Sequence, residues 1–157
     1  MYTLKRTQRI PMSLEEAWKF FSAPANLQKI TPKDLGFQIL SEVPDEMYEG
    51  LFIHYKVSPL FGIKMNWTTE ITHVRDKEFF VDEQRVGPYK IWHHEHHFVE
   101  IPGGVEMTDI VSYQLPLGIL GRIVHPILVK SRLENIFEHR FKTVEEKFGK
   151  YEKEQAA

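Results

Sequence analysis

At 157 residues, with 42% hydrophobic and 27% charged side chains, the chain has the composition of one globular domain, which excludes disorder over most of it. Twenty basic against 22 acidic residues leave a formal charge of −2, so no general field draws the surface to phosphate polymers or anionic lipid, and no nucleic-acid partner is expected. The absence of cysteine removes disulfides, thiolate nucleophiles and sulfur-bound zinc, and it suits a reducing, cytoplasmic setting.

The N-terminal residues Met1 to Ile10 carry Lys5, Arg6 and Arg9 and lead into no apolar run, so they do not read as a secretory signal. Their loose alternation, with β-branched Thr3 and Thr7, predicts a first strand. Ser13-Leu14-Glu15-Glu16 has the residues of a capping box, in which the Ser13 hydroxyl takes the Glu16 amide and the Glu16 side chain returns to the Ser13 amide. A helix therefore starts there, with Ala17, Trp18, Phe20 and Phe21 as its apolar face. Pro24 stops it and opens a second short helix to Ile30, ended by Thr31-Pro32.

From Leu35 to Leu115 the apolar period becomes two. Turn signals at Pro44-Asp45, Pro59 to Gly62, Arg75-Asp76, Gly87-Pro88 and Pro102 to Gly104 divide this stretch into six antiparallel strands. The most apolar segment, Leu115 to Val129, is broken by Gly118, Gly121, Arg122, His125 and Pro126, and it is shorter than the ~20 residues of a spanning helix, so no transmembrane segment is expected. Pro126 should kink or break the start of the last helix. That helix carries Leu133, Ile136, Phe137, Phe141, Val144 and Phe148 on one stripe. Residues 1–150 then form a single α+β domain, and 151–157 a frayed tail. In it a curved seven-stranded antiparallel sheet wraps a long C-terminal helix, with two short helices after strand 1.

Alternation sorts the strand residues between two faces. Around Trp92 the inward set is Trp92, His94, His96 and Phe98, and the outward set is His93, Glu95 and His97. In the next strand Val105, Met107, Asp109, Val111, Tyr113 and Leu115 share the inward face. A two-residue turn at Pro102-Gly103 sets His96 opposite Asp109, whereas a turn at Gly103-Gly104 sets Phe98 there, and both keep the imidazoles and the carboxylate inside. Leu51, Ile53, Tyr55 and Val57, then Trp67, Thr69 and Ile71, complete an apolar wall with a few hydroxyls. The strand at 79–86 stays open: a two-residue turn at Gly87-Pro88 points Phe79, Val81, Glu83 and Arg85 inward, and one bulge substitutes Phe80, Asp82 and Gln84.

Several motifs carry a resemblance: Gly87-Pro88-Tyr89, Trp92-x-His94-x-His96-x-Phe98, Gly103-Gly104 and Met107-x-Asp109. Tyr113-x-x-Pro116-x-Gly118 and Leu133-x-x-Ile136-Phe137-x-x-Arg140 follow, and Trp18 to Phe21, Asn26-Leu27 and Thr31-Pro32 lie upstream. Together they resemble the SRPBCC superfamily of START and birch-pollen-allergen-like helix-grip proteins, in a bacterial branch related to the polyketide cyclase/dehydrase-like proteins. The resemblance implies a hydrophobic cavity between sheet and C-terminal helix that takes a lipid, polyketide or aromatic metabolite. Members of the branch also occur fused to sugar-nucleotide-epimerase-like domains. This chain has no glycine-rich dinucleotide fingerprint, since Gly118-Ile119-Leu120-Gly121 lacks the preceding strand and third glycine.

The leading expectation is a small-molecule binding protein whose cavity is lined by Tyr55, Trp67, Thr69, Trp92, His94, His96, Phe98, Asp109 and Tyr113. The aromatics serve to stack on a ligand, and the two imidazoles and the acid to orient it. The alternative is a cyclase- or dehydratase-like enzyme in which Asp109 holds one tautomer of His96 for proton transfer. A second alternative is an interaction module whose cavity is filled by its own aromatics. Metal ligation by His94, His96 and Asp109 is weighed against a hydrogen-bonded core pair and set aside, so no cofactor or metal is expected. Arg122, Lys130 and Arg132 beside the apolar 119–129 segment read as solvated surface.

Overall fold

The computed structural model describes residues 1–58, 62–116 and 128–152. Strand β1 (Tyr2–Ile10) leads into helix α1 (Leu14–Phe21), and two 3-10 segments, Pro24–Ile30 and Lys33–Leu35, follow. The capping box forms: Ser13 Oγ accepts the Glu16 N–H at 3.2 Å and Glu16 Oε2 accepts the Ser13 N–H at 3.0 Å. Both hydrogen bonds satisfy amides that no helical carbonyl can reach, which is why the helix begins here. The second short helix lies at the expected residues, but it winds as 3-10.

Six strands come next: β2 (Gln38–Ile39), β3 (Phe52–Val57), β4 (Met65–Arg75), β5 (Phe79–Val86), β6 (Ile91–Ile101) and β7 (Gly104–Gln114). They form one sheet in the order β1-β7-β6-β5-β4-β3-β2, every neighbouring pair antiparallel, so β2 to β7 meander and β1 closes the far side on β7. Helix α2 (Lys130–Phe148) lies across this sheet, and the α+β helix-grip architecture is the one expected.

The hairpin between β6 and β7 turns at Pro102-Gly103, which pairs Ile101 with Gly104 and His96 with Asp109. Gly103 has φ 75°, and proline followed by a left-handed glycine is the pair that a type II turn requires. Gly104 cannot carry a side chain: a Cβ there would lie 2.3 Å from the Ile10 carbonyl oxygen. That crowding holds the end of β1 tightly to the hairpin. Tyr151, expected in the frayed tail, donates its hydroxyl to the Pro102 carbonyl at 2.6 Å.

Strand β5 takes the bulged alternative. Its pairing with β4 skips Arg85 between Thr69↔Gln84 and Thr68↔Val86, and skips Thr72 between Ile71↔Asp82 and His73↔Val81. Phe80, Asp82 and Gln84 therefore share the face of Ile71 and Thr69, while Glu83 and Arg85 point outward. Gln84 turns its carboxamide onto Tyr89, accepting from its N–H at 3.1 Å and donating to its carbonyl at 2.7 Å, and so stands in for ladder bonds where pairing stops.

Three apolar clusters surround the middle of the sheet. Ile10, Trp18, Phe21, Phe80, Phe98, Val105, Met107 and Val144 pack at the α1 end, and Leu51, Ile53, Tyr55, Val57, Trp67 and Ile71 at the β3–β4 end. Leu4, Val111, Tyr113, Leu133 and Phe137 pack where α2 crosses β1 and β7. No helix among the described residues is long and apolar enough to cross a membrane. The expected break at Pro126, the basic residue Arg122 and most of the Pro59 to Gly62 turn lie outside the described residues. Of the basic group, Lys130 is exposed and Arg132 pairs with Asp34 at 2.7 Å.

Candidate functional site

Between the three clusters lies a cavity of about 180 Å³. Its sheet wall comes from alternate residues of four strands: Ile53, Tyr55 and Val57 of β3, Trp67, Thr69 and Ile71 of β4, Phe80 and Asp82 of β5, and Trp92, His94 and His96 of β6. Leu133, Ile136, Phe137 and Arg140 of α2 form the opposite wall, and Phe20, Phe21, Asn26, Leu27 and Ile30 close one end. The volume exceeds the ~150 Å³ apolar void that accepts a benzene-sized molecule.

Two polar groups interrupt the apolar lining. In the first, Trp67 Nε1 donates to Thr69 Oγ1 at 3.0 Å, and the Tyr55 hydroxyl shares a 2.7 Å hydrogen bond with the same oxygen. Three donors serve two hydrogen bonds, so one hydroxyl proton is left for whatever fills the cavity. Burial pushes the Tyr55 phenol well above its usual range, and the charge of Asp82 adds to this, so it stays protonated.

The second group is a closed box of two imidazoles and two carboxylates. The His94 and His96 rings lie 3.8 Å apart between centroids, with Phe80 stacked on His96 at 4.2 Å. On the cavity side, Asp82 Oδ2 meets His94 Nδ1 at 3.2 Å and His96 Nε2 at 2.9 Å. Behind the rings, Asp109 Oδ1 meets His94 Nε2 at 3.1 Å and His96 Nδ1 at 2.8 Å. Arg140 NH1 stands 3.8 Å from that Asp109 oxygen, with its guanidinium carbon 5.6 Å from the Phe21 ring centre.

Burial alone would lower the His94 pKa, but the charge of Asp82 and the hydrogen bonds from both carboxylates raise it from 6.5 to about 9. Burial alone would raise both acids. The neighbouring imidazoles outweigh it at Asp82, and Arg140 with the imidazoles outweighs it at Asp109, so both stay well below the usual carboxylate range. Of the four N···O contacts, His94 Nε2 with Asp109 and His96 Nε2 with Asp82 are hydrogen bonds, whereas the buried His96 Nδ1 makes none.

Of the residues expected at the site, Tyr55, Trp67, Thr69, Trp92, His94 and His96 line the cavity. Phe98, Asp109 and Tyr113 point inward as expected but do not line it. Phe98 is packed under Trp18 at 5.5 Å, Tyr113 lies under the start of α2, and Asp109 is screened by the two imidazoles. The cavity-facing carboxylate is Asp82, one of the two sets left open for β5. Arg140 was readable from the helical period, because it falls four residues after Ile136 and three after Phe137, a charge inside an apolar stripe. The outward set forms a separate surface network, with His93 Nδ1 2.9 Å from Glu83 and His97 Nε2 2.8 Å from Glu95.

No curated protein matches the chain significantly. Solved structures do. Protein CV1439 from Chromobacterium violaceum is similar with a TM-score of 0.72 at 10% identity, over 96% of this chain and 100% of that one. Ara h 8.0201 is similar at 0.57 and 13%, over 91% and 97%. A nucleoside-diphosphate sugar epimerase from Corynebacterium glutamicum is similar at 0.64 and 22%, over 91% of this chain but 28% of its own length. At these identities the likeness shows a shared fold. The sequence profile described as polyketide cyclase / dehydrase and lipid transport matches residues 10–150, and the chain belongs to that family.

Proposed function

We propose that this protein binds a small hydrophobic molecule, aromatic or aliphatic, that carries one oxygen-bearing group. The family and the fold support a hydrophobic ligand-binding role. The observation that carries the finer reading is the lining itself: an apolar cavity of about 180 Å³ with Asp82, His94, His96 and the Tyr55–Thr69 hydroxyls on its sheet wall and Arg140 on the helix wall. Apolar walls supply affinity by area, and a few placed polar groups supply orientation. Among the described residues the aromatics leave this space open, which takes support from a filled interaction module. The proton-transfer alternative through His96 and Asp109 is weakened because Asp109 stands behind the imidazoles, away from the cavity.

The test uses 2-naphthol, a fused aromatic with one hydroxyl, titrated into the protein by calorimetry, beside native mass spectrometry of freshly purified protein. One saturable site is expected, weakened at least tenfold in Ile136→Trp, which puts an indole into the cavity from α2. Absence of saturable naphthol binding together with absence of any co-purifying organic molecule, or binding indifferent to Ile136→Trp, overturns the reading.

A further inference from the structure

We propose that Asp82, His94 and His96 form a binding site for a divalent transition metal, with Asp109 as the carboxylate that stands behind both imidazoles and hydrogen-bonds His94. The inference goes beyond the ligand-binding reading and does not depend on it.

The geometry is that of two histidines and one carboxylate on a common point. His94 presents Nδ1 and His96 presents Nε2 to the same oxygen, Asp82 Oδ2, at 3.2 and 2.9 Å, and the three donor atoms lie within 4.8 Å of one another. Ligands held about 2.1 Å from an ion stand roughly 3.0 Å apart in an octahedral site and about 3.4 Å apart in a tetrahedral one. The two N···O separations fall in or next to that interval, so Asp82 is placed to share an ion with either imidazole. Imidazole nitrogen with carboxylate oxygen suits zinc, iron(II) or cobalt(II), and three protein ligands leave coordination positions open. Asp82, His94 and His96 all line the cavity, so those positions face its interior.

The far nitrogens carry the second half of the argument. His94 Nε2 and His96 Nδ1 both meet Asp109 Oδ1, at 3.1 and 2.8 Å. Metal-bound imidazoles commonly donate their other N–H to a carboxylate, which sets the tautomer and raises the basicity of the ligating nitrogen. A ligating imidazole is neutral, so an ion takes the place of the protons between the rings and Asp82, and His94 keeps its far N–H on Asp109. His96 Nδ1, buried and 2.8 Å from Asp109 Oδ1, makes no hydrogen bond.

Charge is compatible as well. Asp82 and Asp109 with Arg140 sum to −1, and a divalent ion brings the site to +1, which favours an anionic oxygen donor from the cavity. The sequence pattern groups the imidazoles with Asp109. The register of β5 on β6, with Asp82 opposite His94, brings Asp82 to the front instead, which changes which carboxylate ligates.

Tag-free protein stripped with chelator and titrated with Zn²⁺ by calorimetry is expected to take one ion per chain. Cobalt(II) in its place should give an intensified visible spectrum and two hyperfine-shifted, exchangeable imidazole N–H resonances. Asp82→Asn should weaken binding at least a hundredfold, and Asp109→Asn by about 10- to 100-fold. The double variant His93→Ala/His97→Ala, on the outer face, should bind as the wild type does. Absence of stoichiometric metal in the folded wild type overturns the proposal, as does affinity that survives Asp82→Asn or falls with the outer variant. If Asp82→Asn does not fold, as judged by circular dichroism, the count of imidazole resonances in the cobalt-loaded wild type decides, and any number other than two refutes the site.

Discussion

Thr69→Val replaces a hydroxyl by a methyl at nearly constant volume and strikes the junction of the Trp67–Thr69–Tyr55 group. Thr69 is 4% exposed, and its Oγ1 takes the Trp67 N–H at 3.0 Å and bonds the Tyr55 hydroxyl at 2.7 Å. The Trp67 ring is held by Tyr55 stacked at 5.9 Å and Trp92 edge-on at 5.4 Å, so its N–H cannot swing to a new acceptor. Leaving a buried donor unmet costs about 1–3 kcal/mol. The Tyr55 hydroxyl, by contrast, can turn into the cavity, where a water fits, and recover part of its loss. The sum is a loss of about 2 kcal/mol, lowering Tm by roughly 4–8 °C for a chain of this size. Valine is a good strand former, so propensity does not supply the loss. Urea unfolding at neutral pH measures it, with an unchanged m-value, and Thr69→Ser, which keeps the oxygen, should lose about 1 kcal/mol or less. A Thr69→Val loss below about 0.5 kcal/mol refutes the reasoning, because the hydroxyl group would then be exchanging freely with solvent.

Acid titration tests the box. The Asp82 and Asp109 carboxyls are held below their unfolded values of about 4, so the stability they contribute is present in full above that pH and is lost as pH falls through the depressed values. In metal-free protein, Asp109→Asn should cost about 3 kcal/mol at pH 7 and should flatten the decline below pH 4 by up to about 1.4 kcal/mol per pH unit, since it removes one titrating acid. Parallel wild-type and variant curves would contradict the pairing. At the hairpin end of β7, Gly104→Ala drives a Cβ to 2.3 Å from the Ile10 carbonyl oxygen and should cost about 1–3 kcal/mol, with faster amide exchange at the end of β1. Unchanged exchange there would mean that β1 yields without loss.

Which residues face inward was legible wherever a strand runs unbulged. The alternation of β3, β6 and β7 places Tyr55, His94, His96 and Asp109 on the inner face because a pleat has a strict period of two and the aromatics mark its apolar side. The same reasoning stops at β5, since an extra residue on either partner inverts the sign, and nothing in the residues near Thr72 or Arg85 marks a bulge. Parity also cannot separate cavity from core. Phe98 and Tyr113 share the inner face with His94 and His96, but α1 covers the first and the start of α2 covers the second. Position along the strand decides that, and it depends on where the helices land. Asp109 was legible as inward and illegible as screened, because its shielding comes from side chains on the neighbouring strand. Arg140 left a clear signal, a lone cation in an apolar helical stripe, and it reads as a partner for a buried acid once the stripe is laid on the sheet.

The extra residues at Thr72 and Arg85 also bear on how such a protein diversifies. The residue facing the imidazoles is Asp82, and its neighbour Glu83 looks to water, so a gain or loss of one codon near the Gly87-Pro88 bend exchanges a short acid for a long one without any point substitution in the lining. Gene comparisons that score aligned identities would pass over such an event. Two descendants therefore keep the same strand residues and differ in which of them meets the guest.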